Sequence, residues 1–217
     1  MDKLRLRFSK TGRAIYISHL DLMAAMQRAF ARAELPLKFS EGFNPHPQIS
    51  ILLPLSVGTA SVCELMDFRL LAEPDLSSLP ERLNKVLPEG ITALEAYEAQ
   101  RKSAQLKWLD VEGLLEYDST IPDEKALEEF FLRPELIIEK KTKRGLGQAD
   151  IRPGIAQAVC TKAEGGISLR ARISAQEPTL NPENLIAALR QLKPELAPDF
   201  AKFTRLETYD AEGLIYR

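Results

Sequence analysis

Along Lys3-Leu4-Arg5-Leu6-Arg7-Phe8 the chain alternates strictly between charged and apolar residues. A period of two predicts a half-buried strand, with Leu4, Leu6 and Phe8 on the core face and Lys3, Arg5 and Arg7 on a basic outer face. Gly12 breaks the alternation, and a short apolar stretch over 14–17 leads to Ser18, with Asp21 three positions on as a variant of the capping box. The period then lengthens to that of a helix. Leu22, Met26, Ala29, Phe30 and Ala33 share one stripe, and Asp21, Ala25, Arg28 and Arg32 line another, predicting a helix to about residue 33. Pro36 ends it, because proline lacks an amide N–H and restricts the residue before it.

Residues 40–47, Ser-Glu-Gly-Phe-Asn-Pro-His-Pro, read as a loop. Two apolar strands follow over 49–53 and 63–71 around a turn at 56–59, then a helix over 76–86 and a strand over 91–98. The order is strand, helix, strand, strand, helix, strand. A similar order recurs: strand material over 106–117, a helix over 122–132, a strand over 136–141, a hairpin of 159–163 and 167–174 around Gly165-Gly166, a helix opened by Asn181-Pro182 and a strand over 203–209. The pattern predicts an α+β fold of two tandem ferredoxin-like (β-α-β-β-α-β) units, residues 1–101 and 102–217.

Composition narrows the class. Of 217 residues 45% are apolar and 28% charged, and the formal net charge is −2, which describes a folded chain rather than a disordered one. The longest apolar runs are broken by Ser or Pro and fall short of a membrane span. The amino-terminal residues lack the continuous apolar block of a signal peptide, so the expectation is a cytoplasmic protein. Cys63 and Cys160 are the only thiols and stand far apart in sequence, which excludes a disulfide framework, a ribbon-type zinc site or an iron–sulfur cluster built by this chain alone. No phosphate loop, dinucleotide fingerprint, zinc-protease helix or nucleophile elbow is present.

Charge is uneven. Residues 1–38 hold eight bases (Lys3, Arg5, Arg7, Lys10, Arg13, Arg28, Arg32, Lys38) against three acids (Asp2, Asp21, Glu34), an excess of five positive charges in a chain that sums to −2. Such a patch neutralises phosphates, or is simply a solvated face. His19 falls in the first turn of the predicted helix, where free N–H groups and the macrodipole favour an anion; its other reading is a polar residue packed on the adjoining loop. Phe43, Asn44 and His46 lie on a loop stiffened by Pro45 and Pro47, which suits stacking on and hydrogen bonding to a base, or equally an ordered loop with Phe43 in the core. If His19 and His46 met, they would form an acid–base pair able to cleave RNA without a metal. A second cluster, Lys140, Lys141, Lys143 and Arg144, precedes Gly145 and Gly147 and reads as a mobile loop; beyond it Asp150 and Arg152 are spaced to pair or to clamp a ligand.

Three blocks, Ser18-His19-Leu20-Asp21-Leu22 with Arg28-Ala29, Arg32-Ala33 and Leu35-Pro36, then Ser40-x-Gly42-Phe43-Asn44-Pro45-His46-Pro47, then Pro54-Leu55-Ser56-Val57-Gly58, together with Asp150-Ile151-Arg152-Pro153, resemble the radical SAM-linked protein family. Phe39, Ala31 and Gln48 stand where that pattern has Tyr, Arg and Lys. The resemblance implies a partner carrying the iron–sulfur cluster and S-adenosylmethionine, with no cofactor in this chain. It also implies an RNA or ribosomal-particle substrate. Two ferredoxin-like units with a histidine by the first helix are also similar to CRISPR repeat-processing endoribonucleases, a likeness of fold only. The expected function is a non-catalytic accessory RNA- or RNP-binding protein, with a metal-independent endoribonuclease or a protein-only scaffold as alternatives. Its binding face would comprise His19, Asp21, Arg28, Arg32, Phe43, Asn44 and His46, with Lys140, Lys143, Arg144, Asp150 and Arg152 closing over the other side.

Overall fold

A computed structural model describes residues 3–142 and 145–217, so Lys143 and Arg144 lie outside the described residues. The chain divides into two compact units, Met1–Ser103 with Arg217, and Ala104–Tyr216. Both are α+β with antiparallel sheets.

The first unit runs β1 (Leu4–Lys10), α1 (His19–Arg32), β2 (Ile49–Ile51), β3 (Ala60–Phe68), α2 (Leu79–Asn84) and β4 (Ile91–Glu98), with sheet order β4-β1-β3-β2. Leu6 stands opposite Met66 on β3 and Ala96 on β4, so the core face of the alternating strand meets apolar neighbours on both sides. Leu22, Met26, Ala29 and Phe30 of α1 close over that face, Phe30 against Phe68 with ring centroids 4.9 Å apart.

The basic outer face expected of β1 is only partly solvated. Arg5 is fully buried, and its Nε and Nη2 donate to Asp67 on β3 at 2.6 and 3.3 Å while Nη2 also donates to the Arg101 carbonyl at 3.0 Å. Lys3 adds a third bond to the same carboxylate at 3.0 Å. Lys10 is buried too, and its Nζ donates to the carbonyls of Ile15 and Ile17 at 3.1 and 3.3 Å. Burial holds that ammonium below the usual lysine range, with Glu64 opposing the shift. Three of the eight amino-terminal bases therefore serve the fold. The alternation was legible, but that it hid Arg5 depended on an acid 62 residues away.

The second unit runs β5 (Trp108–Glu116), α3 (Glu124–Phe131), β6 (Ile137–Thr142), β7 (Gly145–Asp150), β8 (Ile155–Ala163), β9 (Gly166–Ser174), α4 (Glu183–Leu192) and β10 (Phe200–Tyr209). Its sheet order is β10-β5-β9-β8, and β6 and β7 pair as a separate hairpin. Gly113 lies opposite Phe203, whose ring covers the strand so closely that a β-carbon at 113 would sit 2.4 Å from it. The segment after Lys140 is a correction: a second strand, β7, stands where a mobile loop is expected. Two glycines mask its pattern, and its order comes from pairing with β6, whose Glu139 backbone is clamped by the Gln191 amide of α4 at 2.8 and 3.0 Å.

Candidate nucleic-acid interface

Everything that distinguishes the first unit is arranged about the two ends of α1. At its start Ser18 caps the helix: its Oγ accepts from the Asp21 N–H at 3.1 Å and donates to the Asp21 carboxylate at 2.7 Å. Asp21 is thus a capping residue. Lys10 holds the two carbonyls just before Ser18, and the Gly58 N–H donates to the Ile15 carbonyl at 2.9 Å, which brings the 54–58 block beside the helix start. Tyr16, Leu20 and Val57 are exposed there, and the His19 Nδ1 is buried without a partner among the described residues.

At the other end the chain leaves α1 through a Schellman turn. The Glu34 N–H donates to the Ala31 carbonyl at 3.2 Å, and the Leu35 N–H to the Phe30 carbonyl at 2.9 Å. Glu34 takes φ 56°, the left-handed conformation that usually calls for glycine. The Arg82 guanidinium donates to the carbonyls of Ala33 and Glu34 at 2.6 and 3.2 Å, satisfying the helix end. The following loop is tied at its neck: Ser40 N–H donates to the His46 carbonyl at 2.8 Å, His46 N–H to Ser40 Oγ at 3.1 Å, and Ser40 Oγ lies 2.9 Å from His46 Nδ1. Gln48 spans the same neck, its backbone N–H donating to Lys38 and its side chain to the Phe39 carbonyl. Held this way, the loop presents Phe43 fully to solvent rather than in the core, and Asn44 is exposed beside it.

Between the carboxyl-terminal half of α1 and this loop runs an apolar groove of about 600 Å³, whose walls include Ala31, Leu37, Phe39, Pro47 and Leu71, with Gln27 and Glu34 at its polar edge. Arg28 and Arg32 are exposed on the neighbouring stripe of the helix, one turn apart, and neither guanidinium meets an acceptor among the described residues. The carboxyl-terminal end of α1 and the loop after it thus hold an apolar groove and an exposed aromatic, while the helix carries two exposed cations on a separate stripe.

His19 and His46 do not form a pair. The 14-residue helix is about 20 Å long, His19 opens it, and the His46 loop follows its end. The strand register agrees, because Lys10 pairs with Ser61 at the His19 end, whereas Leu4, Phe68 and Ile49 align at the other. His46 instead lines a small cleft with Lys3, Asp67 and Arg69. Such a separation removes the geometric basis of a two-histidine nuclease.

In the second unit Asp150 accepts from the backbone N–H groups of Leu136 and Arg152, both at 2.9 Å, and Arg152 donates to the Ile155 carbonyl at 2.5 Å. Both side chains shape the turn that follows the β6–β7 hairpin. Lys140 is half-buried on β6. Cys63 and Cys160 are separate buried thiols, and among the described residues no group of three or more His, Cys, Asp or Glu is arranged to hold a metal. The groove residues Gln27, Glu34 and Leu71 were not offered as binding residues by the sequence, and Phe39 and Ala31 stood out only as departures from the resembled pattern. Glu34 stands just before Leu35-Pro36, the one local hint, but nothing in a Glu residue announces a positive φ.

These features define an α+β protein with an apolar groove beside the end of α1 on its first unit. The chain belongs to the family described as "Uncharacterized protein conserved in bacteria (DUF2344)", whose model matches residues 3–182. That description names no partner, cofactor or activity. No curated protein matches the sequence. Among solved structures, the chain is similar in fold to one in a Cbf5-Nop10-Gar1 complex, with TM-score 0.53 and 12% identity, covering 94% of this chain and 48% of that one. The chain therefore spans about half the length of the structure it matches. No helix among the described residues is long and apolar enough to cross a membrane.

Proposed function

We propose that this chain is a non-catalytic RNA- or RNP-binding module, acting in the cytoplasm beside a radical SAM enzyme that carries the iron–sulfur cluster and S-adenosylmethionine. Each unit is read as ferredoxin-like: four antiparallel strands ordered last-first-third-second with two helices, the β6–β7 hairpin being an insertion in the second. The observation that carries the RNA reading is the pair of exposed, unpaired guanidiniums, Arg28 and Arg32, one turn apart on α1, with the exposed Phe43 on the loop that follows the helix. Cations neutralise backbone phosphates while an aromatic side chain stacks on a base. The opposite end of α1, with exposed Tyr16, Leu20 and Val57, is the face offered to the protein partner.

Tagged protein recovered from its host with and without nuclease tests both halves. An enriched RNA class that Arg28→Ala with Arg32→Ala depletes supports the RNA reading, and a radical SAM protein lost on Leu20→Glu supports the docking face. Recovery of protein alone, unchanged by nuclease or by the arginine substitutions, overturns RNA binding in favour of a protein-only scaffold.

A further inference from the structure

Glu34 occupies the one position in the Schellman turn where a side chain is a liability. Its φ of 56° is comfortable for glycine and strained for a residue with a β-carbon. Its backbone does all the structural work there: the N–H closes the turn on Ala31 and the carbonyl accepts from Arg82. The carboxylate itself has no partner among the described residues, and Glu34 is one of the residues that line the apolar groove. Strain that returns nothing to the fold points to a task for the side chain.

The chemistry of the groove narrows that task. A carboxylate only accepts hydrogen bonds, and its two oxygens take a pair of parallel N–H donors. Among the four RNA bases, guanine alone offers two adjacent donors, N1–H and the N2 amino group, on its Watson–Crick edge. That edge is free only when the base is unpaired. The groove's walls supply the apolar and aromatic surface a flat base needs, through Phe39, Pro47 and Leu71, and Phe43 stands free above the loop for a neighbouring base.

We propose that the groove selects single-stranded RNA by seating one unpaired guanine with its Watson–Crick edge on Glu34. The inference rests on the RNA-binding reading above and adds the base and strand state to it. Fluorescence anisotropy of the full chain with labelled 12-nucleotide RNAs tests it, using oligouridine carrying a single central guanine, adenine or cytosine, and the guanine strand annealed to its complement. The single-stranded guanine RNA should bind at least about tenfold more tightly than the adenine, cytosine and all-uridine strands and than the duplex. Glu34→Gln should cut the preference over the other single strands below about threefold, and Phe43→Ala should weaken binding of all single strands. Glu34→Gly should lose the preference while melting no lower than the parent, which excludes misfolding as the cause. Equal binding of all single strands, equal binding of the duplex, or a guanine preference that survives Glu34→Gln overturns this inference and leaves the RNA reading standing. Binding of none of these RNAs overturns both.

Discussion

Replacing Glu34 by glycine should make the protein more stable. In the Schellman turn after α1, Glu34 holds φ 56°, its N–H reaching Ala31 at 3.2 Å while Leu35 closes the outer bond to Phe30 at 2.9 Å. The left-handed conformation costs a residue with a β-carbon roughly 1–2 kcal/mol, which glycine avoids. Against this, glycine gains freedom in the unfolded chain, worth about 0.5–1 kcal/mol. The turn's hydrogen bonds, the Arg82 bonds and the burial of Leu35 in the core involve backbone or other side chains and survive the change. The net gain is about 0.5–1 kcal/mol, a rise of roughly 1–4 °C in Tm for a chain of this size. Thermal melting followed by circular dichroism, with Glu34→Ala alongside, checks it. Alanine removes the carboxylate but keeps the β-carbon, so it should melt near the parent, and only glycine should melt higher. A lower Tm for Glu34→Gly, or equal Tm values for the two variants, would refute the strain and with it the argument that Glu34 is kept for binding.

Asp67→Asn should cost about 3–5 kcal/mol, read as a lower urea midpoint, because it strands the charge of the fully buried Arg5; an unchanged midpoint would show that Arg5 does not depend on this pair. Arg28→Ala should reduce the slope of log binding constant against log salt for a single-stranded RNA by about 0.7 without moving Tm, and an unaltered slope would take Arg28 out of the interface. The Cys160 thiol is pushed up to about 12, chiefly by burial and then by Glu128 and Glu124. Native protein at pH 8 should therefore resist iodoacetamide at this thiol until it unfolds. Because the folded pKa lies above the unfolded one, the thiol's contribution is complete below about pH 8.5 and is lost as pH climbs toward 12. Cys160→Ala should flatten that alkaline decline, and identical alkaline profiles would contradict the shift. Ser18→Ala should cost about 1 kcal/mol by removing the cap on α1, and a variant as stable as the parent in urea would mean the cap is idle.

What the sequence determined by itself is what neighbouring residues settle among themselves. The two-residue period of β1 sorted Leu4, Leu6 and Phe8 to the core, the Ser18 and Asp21 pair marked the start of α1, and Gly165 marked the turn between β8 and β9, one residue earlier than the expected Gly165-Gly166 pair, because pleat, cap and turn are decided by residues within a few positions of one another. Tertiary structure decided the rest. Arg5 became an internal cation through Asp67, 62 residues away; β7 became a strand by pairing with β6; and the two histidines were parted because α1 carries the chain from one end of its sheet to the other. The groove joins helix stripe, turn and loop, and Glu34 is bent into a glycine's conformation by a turn whose bonds are all to backbone. Such features depend on where the chain returns to itself in space, and no local pattern of polar and apolar residues encodes that return.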